Sequence, residues 1–277
     1  MFTCSGKKRI PMISISLLFF SIGLYGCAGI KDFTFQEDLP TIAHVHIGHA
    51  VTAWMHSPEK KGLFVVAEEE GQIALAEAKR ALEKPEDIEN IKKHVRGVIH
   101  VFDPDIIDKG PGLGFGLMNA LEESYGHINY ASRSDDATVN VQQFAEVFEQ
   151  QTLSVLERCD LVLALGQEIL ALSSAEDSFV LASEIYCYIA SIVDGPDVPN
   201  ECSNSGSTNE IGLKQLRDQI DEMIAREVPE YKTIATRYLF GVIKLPSGKW
   251  TFSWLVNPFY DDEDIHGGNG DGGGGGY

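Results

Sequence analysis

The sequence predicts a mainly α-helical protein, an antiparallel bundle of five or six helices with a small C-terminal β-hairpin. Apolar residues recur at spacings of three and four over most of residues 62–227, which is typical of amphipathic helices on a common core. Short polar stretches separate the periodic segments, and short connections favour antiparallel neighbours. Beyond residue 238, aromatic and β-branched residues replace this pattern.

Six segments carry the helical pattern, and most have a recognisable start or stop. Pro85 and Pro104 end the first two segments, because proline cannot continue a helix. Ser174 with Asp177 resembles a capping box at the start of the fifth segment, and Ser207 with Glu210 repeats it before the sixth. The segments are residues 62–83, 86–102, 117–131, 138–171, 175–193 and 208–228.

The C-terminal part reads as an appendage and a tail. Residues 238–245 and 249–255 flank Pro246-Ser247-Gly248, which is typical of a β-hairpin. The bundle is therefore assigned to residues 62–228 and the hairpin appendage to 229–258. Residues 259–277 are acidic and then glycine-rich, so they cannot bury enough apolar surface to fold, and we predict a disordered tail.

The N-terminus has the composition of an export signal. Lys7-Lys8-Arg9 precedes an apolar run from Met12 to Tyr25, which is shorter than the roughly 20 residues of a membrane span, so residues 1–26 are predicted to be a signal peptide. The run ends in Leu24-Tyr25-Gly26-Cys27, which resembles the lipobox of bacterial lipoproteins, although Tyr25 stands where a small residue is usual. An ordinary signal peptide or a single N-terminal membrane anchor is the alternative.

The lipoprotein resemblance implies a location in the cell. It implies that Cys27 becomes the acylated first residue of the mature chain and holds it to a membrane. Ala28, rather than Asp, follows Cys27, which by the same resemblance implies the outer membrane, with the protein facing the periplasm. Residues 27–61 then form an anchor and a histidine-rich entry segment.

The charge of the chain limits its partners. There are 22 Lys and Arg against 41 Asp and Glu, and the formal net charge is −19. An acidic surface repels phosphate backbones and anionic lipid head groups, so we expect no nucleic-acid binding and no polybasic membrane docking. The expected partners are the membrane, through the lipid anchor, and an envelope protein.

Cysteine usage agrees with an oxidising compartment. After Cys27 the cysteines are Cys159, Cys187 and Cys202, so at most one internal disulfide can form. Cys187 lies near a helix end and Cys202 in the polar loop that follows, which makes them the candidate pair. Cys159 lies on an apolar helical face and is expected to be a small buried hydrophobe.

The strongest chemical signal is a group of four histidines, His44, His46, His49 and His56. Imidazole is the commonest ligand of transition metals, and several within 13 residues can converge on one ion of Cu, Zn, Ni or Fe. As a strand, His44 and His46 share a face; as a helix, His46 shares one with His49 and His56. The alternative is that these histidines are structural.

The helices supply further candidate ligands. His94, Glu123 and His127 lie in or beside apolar stripes, and together with Glu68 they could meet inside the bundle. The six predicted helices lack the Glu-x-x-His pattern of di-iron bundles.

An enzyme is less expected than a binding protein. Residues 110–116 are glycine-rich but lack the order of a nucleotide-binding loop, and no GxSxG occurs. The sequence therefore favours a metal-binding lipoprotein, with a non-enzymatic interaction or scaffold lipoprotein of the cell envelope as the alternative.

The lipobox predicts the behaviour of a Cys27→Ser variant. Without the thiol no acyl chain can be attached, so the variant should leave the membrane fraction or remain an unprocessed precursor. Cell fractionation and the mass of the mature N-terminus check this. Processing and membrane association identical to the wild type, with no acyl mass in either protein, would contradict it.

Overall fold

The computed structural model describes residues 40–199, 202, 210–232, 242–244 and 250–252. This part of the chain is mainly helical, as predicted, and contains seven α-helices. The helices are α1 (Ile42–Val51), α2 (Leu63–Ala81), α3 (Ile88–Phe102), α4 (Leu117–Arg133), α5 (Val139–Ala171), α6 (Ala175–Asp194) and α7 (Leu213–Ala225). Helices α2 to α7 coincide with the six periodic segments, whereas α1 falls in the histidine-rich segment and adds a seventh helix.

Helix starts follow the capping residues of the sequence. The side chain of Ser174 accepts a hydrogen bond from the Asp177 N–H, as the predicted capping box requires. Thr41, Asp87 and Thr138 cap α1, α3 and α5 in the same way. Helix α7 begins later than expected, at Leu213, and Ser207 of its predicted capping box lies outside the described residues.

One apolar core joins all seven helices. Helix α2 is central, since it packs against α1, α3, α4 and α6. Its residue Phe64 is fully buried with its ring 6.0 Å from that of Phe148 on α5, and Phe148 stacks on Phe144. The arrangement fits a helical bundle, and the antiparallel order of the helices stays a prediction.

Ionic contacts attach the last helix to this core. Arg217 of α7 donates two hydrogen bonds to the carboxylate of Glu68 on α2, at 2.9 and 2.7 Å, and its guanidinium lies over the Phe64 ring. Just before α7, Glu210 forms an ion pair with the buried Arg158 of α5. Burial lowers the pKa of Arg158, and the charge of Glu210 acts against this effect.

A disulfide joins Cys187 of α6 to Cys202, the pair that the sequence singles out. Cys159 is a free and fully buried cysteine, as expected from its place on an apolar face. Burial raises the pKa of its thiol, so the thiolate is disfavoured and the residue behaves as a small apolar side chain.

The two ends of the chain are described only in part. Short strands β1 (Val242–Lys244) and β2 (Trp250–Phe252) pair antiparallel, with Ile243 opposite Thr251. Most of the predicted appendage, including its turn, lies outside the described residues, so the hairpin stays a prediction. The lipobox with Cys27 and the acidic tail also lie outside them. None of the helices in the described ranges is both long and apolar enough to cross a membrane.

Helix α1 was not predicted from the hydrophobic pattern because it is buried on nearly all sides. Eight of its ten residues are buried, so it has no polar face to alternate with an apolar one. It lies against α4 and α2. Its end approaches α2 at Gly62, where a Cβ atom would lie 2.4 Å from the backbone carbon of Val51.

Two glycine substitutions should therefore have opposite effects on stability. Gly62→Ala should lower the free energy of unfolding by about 1–3 kcal/mol, because the added methyl group meets the backbone of α1. Gly126→Ala is the matched control, since no atom lies within 4 Å of its added Cβ and alanine favours a helix by about 0.5–1 kcal/mol. Urea unfolding of both variants measures this, and equal destabilisation would contradict the close contact of α1 with α2.

Candidate metal centre

Helix α1 is fixed at its N-terminus by side chains from outside it. The Asp136 carboxylate, in the connection between α4 and α5, accepts hydrogen bonds from the N–H groups of Ile42 and Ala43 at 2.7 and 3.0 Å. Thr41 accepts from the N–H of His44. A negative charge at a helix N-terminus also interacts favourably with the helix dipole. These contacts fix the position of α1 relative to α4.

This packing brings three histidines together. His46 and His49 lie three residues apart on α1 and therefore share a face, and His127 comes from α4. One ring nitrogen from each lies within 4.8 Å of the others. The side chains are only 1, 2 and 6% exposed. His46, His49 and His127, called the histidine triad below, form a buried group that could hold a metal ion.

The spacing of the nitrogen atoms is close to that of a metal site. A zinc ion binds imidazole nitrogens at about 2.0–2.1 Å, which places two nitrogens of a tetrahedron about 3.3 Å apart. The Nδ1 atoms of His46 and His127 are 3.3 Å apart. The third nitrogen, from His49, lies within 4.8 Å of the other two.

Burial also affects the protonation of His127. Together with the smaller effect of the nearby charge of His46, burial lowers the pKa of His127 to about 3. The ring is therefore neutral at pH 7, which is the form that binds metals. Among the described residues the ligand group is made of histidines alone, with no carboxylate oxygen in it.

Aromatic rings form a wall around the triad. The ring of Trp54 lies 4.5 Å from that of His49 and 4.6 Å from that of His127, and the ring of Tyr130 lies 5.5 Å from that of His46. Neither residue was predicted from the sequence to be near the site. Their positions could have indicated it, since Trp54 lies between His49 and His56 and Tyr130 follows His127 by three residues.

His44 is not part of the triad. Its Nε2 lies 3.0 Å from the carboxylate of Glu227, and its Nδ1 accepts a hydrogen bond from the backbone N–H of Lys232 at 3.4 Å. Because a carboxylate only accepts, Nε2 carries the proton. Both ring nitrogens of His44 are thus used to attach the segment after α7 to α1, which is a structural role.

His56 and Glu123 lie beside the triad but are not members of it. His56 is exposed and its ring packs on Trp54 at 5.2 Å. Glu123 is half-buried, and burial raises the pKa of its carboxyl group while the charge of His56 opposes the rise. The structure places these two near each other and outside the three-nitrogen group.

The remaining candidates have partners outside the triad. His94 of α3 contacts Glu77 of α2 through Nδ1 at 2.7 Å, and Glu68 is paired with Arg217. The expectation that Glu68 and His94 meet His127 is therefore wrong. Their partners, Arg217 and Glu77, are on neighbouring helices, which helical periodicity alone could not reveal.

The glycine-rich loop before α4 serves a buried carboxylate. Glu70 of α2 is fully buried and accepts hydrogen bonds from the backbone N–H groups of Leu113, Phe115 and Gly116. A Cβ atom at Gly112 would lie 2.5 Å from the Glu70 carboxylate, and its φ of 106° also favours glycine. The loop N–H groups that could have bound a phosphate are thus occupied from within the chain.

Comparison of the chain with protein families, with curated proteins and with solved structures gives no match. The triad is therefore the feature of the protein that points to a function.

The low pKa of His127 predicts acid sensitivity of the metal-free protein. The folded pKa is about 3 against an ordinary value of 6.5, so below pH 6.5 the unfolded chain binds a proton that the fold does not. The free energy of unfolding should then fall by up to about 1.4 kcal/mol for each pH unit between 6.5 and 3 because of this group. Above pH 6.5, His127 no longer makes the free energy of unfolding depend on pH.

Urea unfolding at several pH values in the presence of a chelator measures the effect. His127→Asn keeps a polar atom near the position of Nδ1 but does not titrate, so its stability should fall less steeply with acid than that of the wild type. His56→Asn, which changes an exposed ring, should leave the slope unchanged. A slope for His127→Asn equal to that of the wild type would contradict a neutral, buried His127.

Proposed function

We propose that this protein binds one transition-metal ion through His46, His49 and His127, as an exported protein anchored to the bacterial cell envelope by lipid on Cys27. The observation that carries the proposal is the convergence of three buried imidazoles on one point from two helices. Nitrogen donors of this kind suit Zn, Cu, Ni or Fe rather than Ca or Mg, which prefer oxygen ligands.

Aromatic side chains border the triad. The ring of Trp54 lies against His49 and that of Tyr130 against His46, and the ligand group in the described residues contains no carboxylate. Three protein ligands leave one position of a tetrahedron for water or an exchanging ligand. A carrier or buffer of metal ions uses such a position for loading and release, and we infer this role.

The charge of the chain fits the same role. Three imidazole ligands contribute no negative charge, so an incoming dication is compensated by the acidic protein as a whole rather than by a charged ligand. A net charge of −19 also raises the local concentration of cations around the protein. The supported location is the envelope, because the signal peptide and the Leu24 to Cys27 sequence resemble those of lipoproteins.

Metal binding by the purified full chain in non-ionic detergent tests the proposal. At about pH 7.5 and about 0.15 M salt, the wild type should bind one Zn(II), Cu(II) or Ni(II) per chain in calorimetry and elemental analysis. A double His46→Ala and His49→Ala variant should bind at least about 100-fold more weakly, because it keeps one of the three ligands.

The matched control removes two imidazoles outside the triad. A double His56→Ala and His94→Gln variant should keep the stoichiometry and affinity of the wild type, and circular dichroism verifies that all proteins are folded. Equal affinity of the triad variant and the wild type would overturn the assignment of the site. No tight binding by the folded wild type would favour the scaffold alternative, in which the triad is a structural cluster held by the His46 to His127 contact.

A further inference from the structure

A second candidate site is a cleft lined by positively charged side chains. The cleft has a volume of about 600 Å³ and lies between the end of α2, the middle of α3 and the loop that follows α3. A cleft of this volume can hold a small molecule. Its cationic side chains are Arg80, Lys93, Arg96 and Lys109.

Such a concentration of cations is unusual for this chain. The whole sequence has 22 Lys and Arg against 41 acidic residues, yet four of the 22 line one cleft. Glu77 is the one carboxylate in the lining, and it is already in contact with Arg80 and His94. Lys93, Arg96 and Lys109 form no ion pair with any residue in the described ranges. Like charges held close together without counter-charges repel, so an anion bound among them lowers the free energy.

The floor of the cleft is shaped by a glycine. A Cβ atom at Gly97 would lie 2.8 Å from the Glu77 carboxylate and 3.2 Å from Pro111 Cγ. The missing side chain therefore lets α2 and the loop close on α3 below the cationic groups. From this floor, Glu77 fixes the His94 ring by its contact with Nδ1 at 2.7 Å. The base of the cleft is thus ordered, while Lys93 and Arg96 above it are exposed and able to reach a ligand.

We propose that this cleft binds a phosphate monoester carried by a small molecule. A phosphate dianion needs at least two cations and several donors, and the lysine and arginine side chains supply both, with the planar guanidinium suited to two phosphate oxygens. The same chemistry is offered by a soluble phosphate ester and by a phosphatidic acid head group. The ligand class does not depend on the metal centre, because no residue of the triad lines the cleft.

Calorimetry of the full chain in non-ionic detergent tests the cleft with two probes, glycerol phosphate and the water-soluble dihexanoyl phosphatidic acid. The wild type should bind at least one of them saturably, with one molecule per chain. A double Lys93→Gln and Arg96→Gln variant should bind the same probe at least about tenfold more weakly, because two charge-assisted hydrogen bonds are lost. Equal affinity for the two probes assigns the site to soluble phosphate esters, and tighter binding of the lipid assigns it to a head group.

A double Lys60→Gln and Arg133→Gln variant is the control. It removes two exposed cations outside the cleft and therefore has the same net charge as the Lys93 and Arg96 variant. It should bind like the wild type. Both double variants should keep the metal stoichiometry of the wild type, so a failure of the phosphate site is distinguishable from a failure of the metal centre. Lack of saturable binding of both probes, or equal weakening in the two double variants, would overturn the proposal.

Discussion

Burial of helix α1 is the constraint on which the rest of the structure depends. The helix carries three imidazoles into the interior, and a buried polar group without a partner costs about 1–3 kcal/mol. The fold supplies partners for these imidazoles on two sides of α1. His44 is held by Glu227 from beyond α7, and His46 and His49 face His127 on α4. The same burial that makes these histidines costly makes His127 neutral and therefore able to bind a metal.

The contacts that supply these partners also assemble the bundle. Glu227 accepts hydrogen bonds from Thr138 and Asn140 at the start of α5 while it holds His44, so one carboxylate connects three parts of the chain. Asp136 connects the segment between α4 and α5 to the N-terminus of α1. Polar groups near α1 therefore add directional contacts to α4, α5 and the end of α7, beside the apolar packing of the core.

Six of the seven described helices could be predicted from the sequence because each is amphipathic and has a polar face that marks its period. Helix α1 could not, since His46 and His49 replace apolar residues in a segment that is buried all round. Periodicity identified His127 as inward-facing but could not say which neighbour it meets. The same limit explains the wrong grouping of His94, because its partner Glu77 is set by the packing of α2 on α3.

Trp54 gives the centre an optical property that follows from its position alone. Its indole contacts the rings of His49 and His127 and also that of His56, and it is the one tryptophan of the described helical part, Trp250 being in β2. Indole emission responds to the charge and polarisability of groups a few ångströms away. Any event at the triad, whether protonation, loading with an ion or its release, changes the surroundings of this fluorophore. The protein thus contains its own spectroscopic reporter, and the state of the centre is readable without a label.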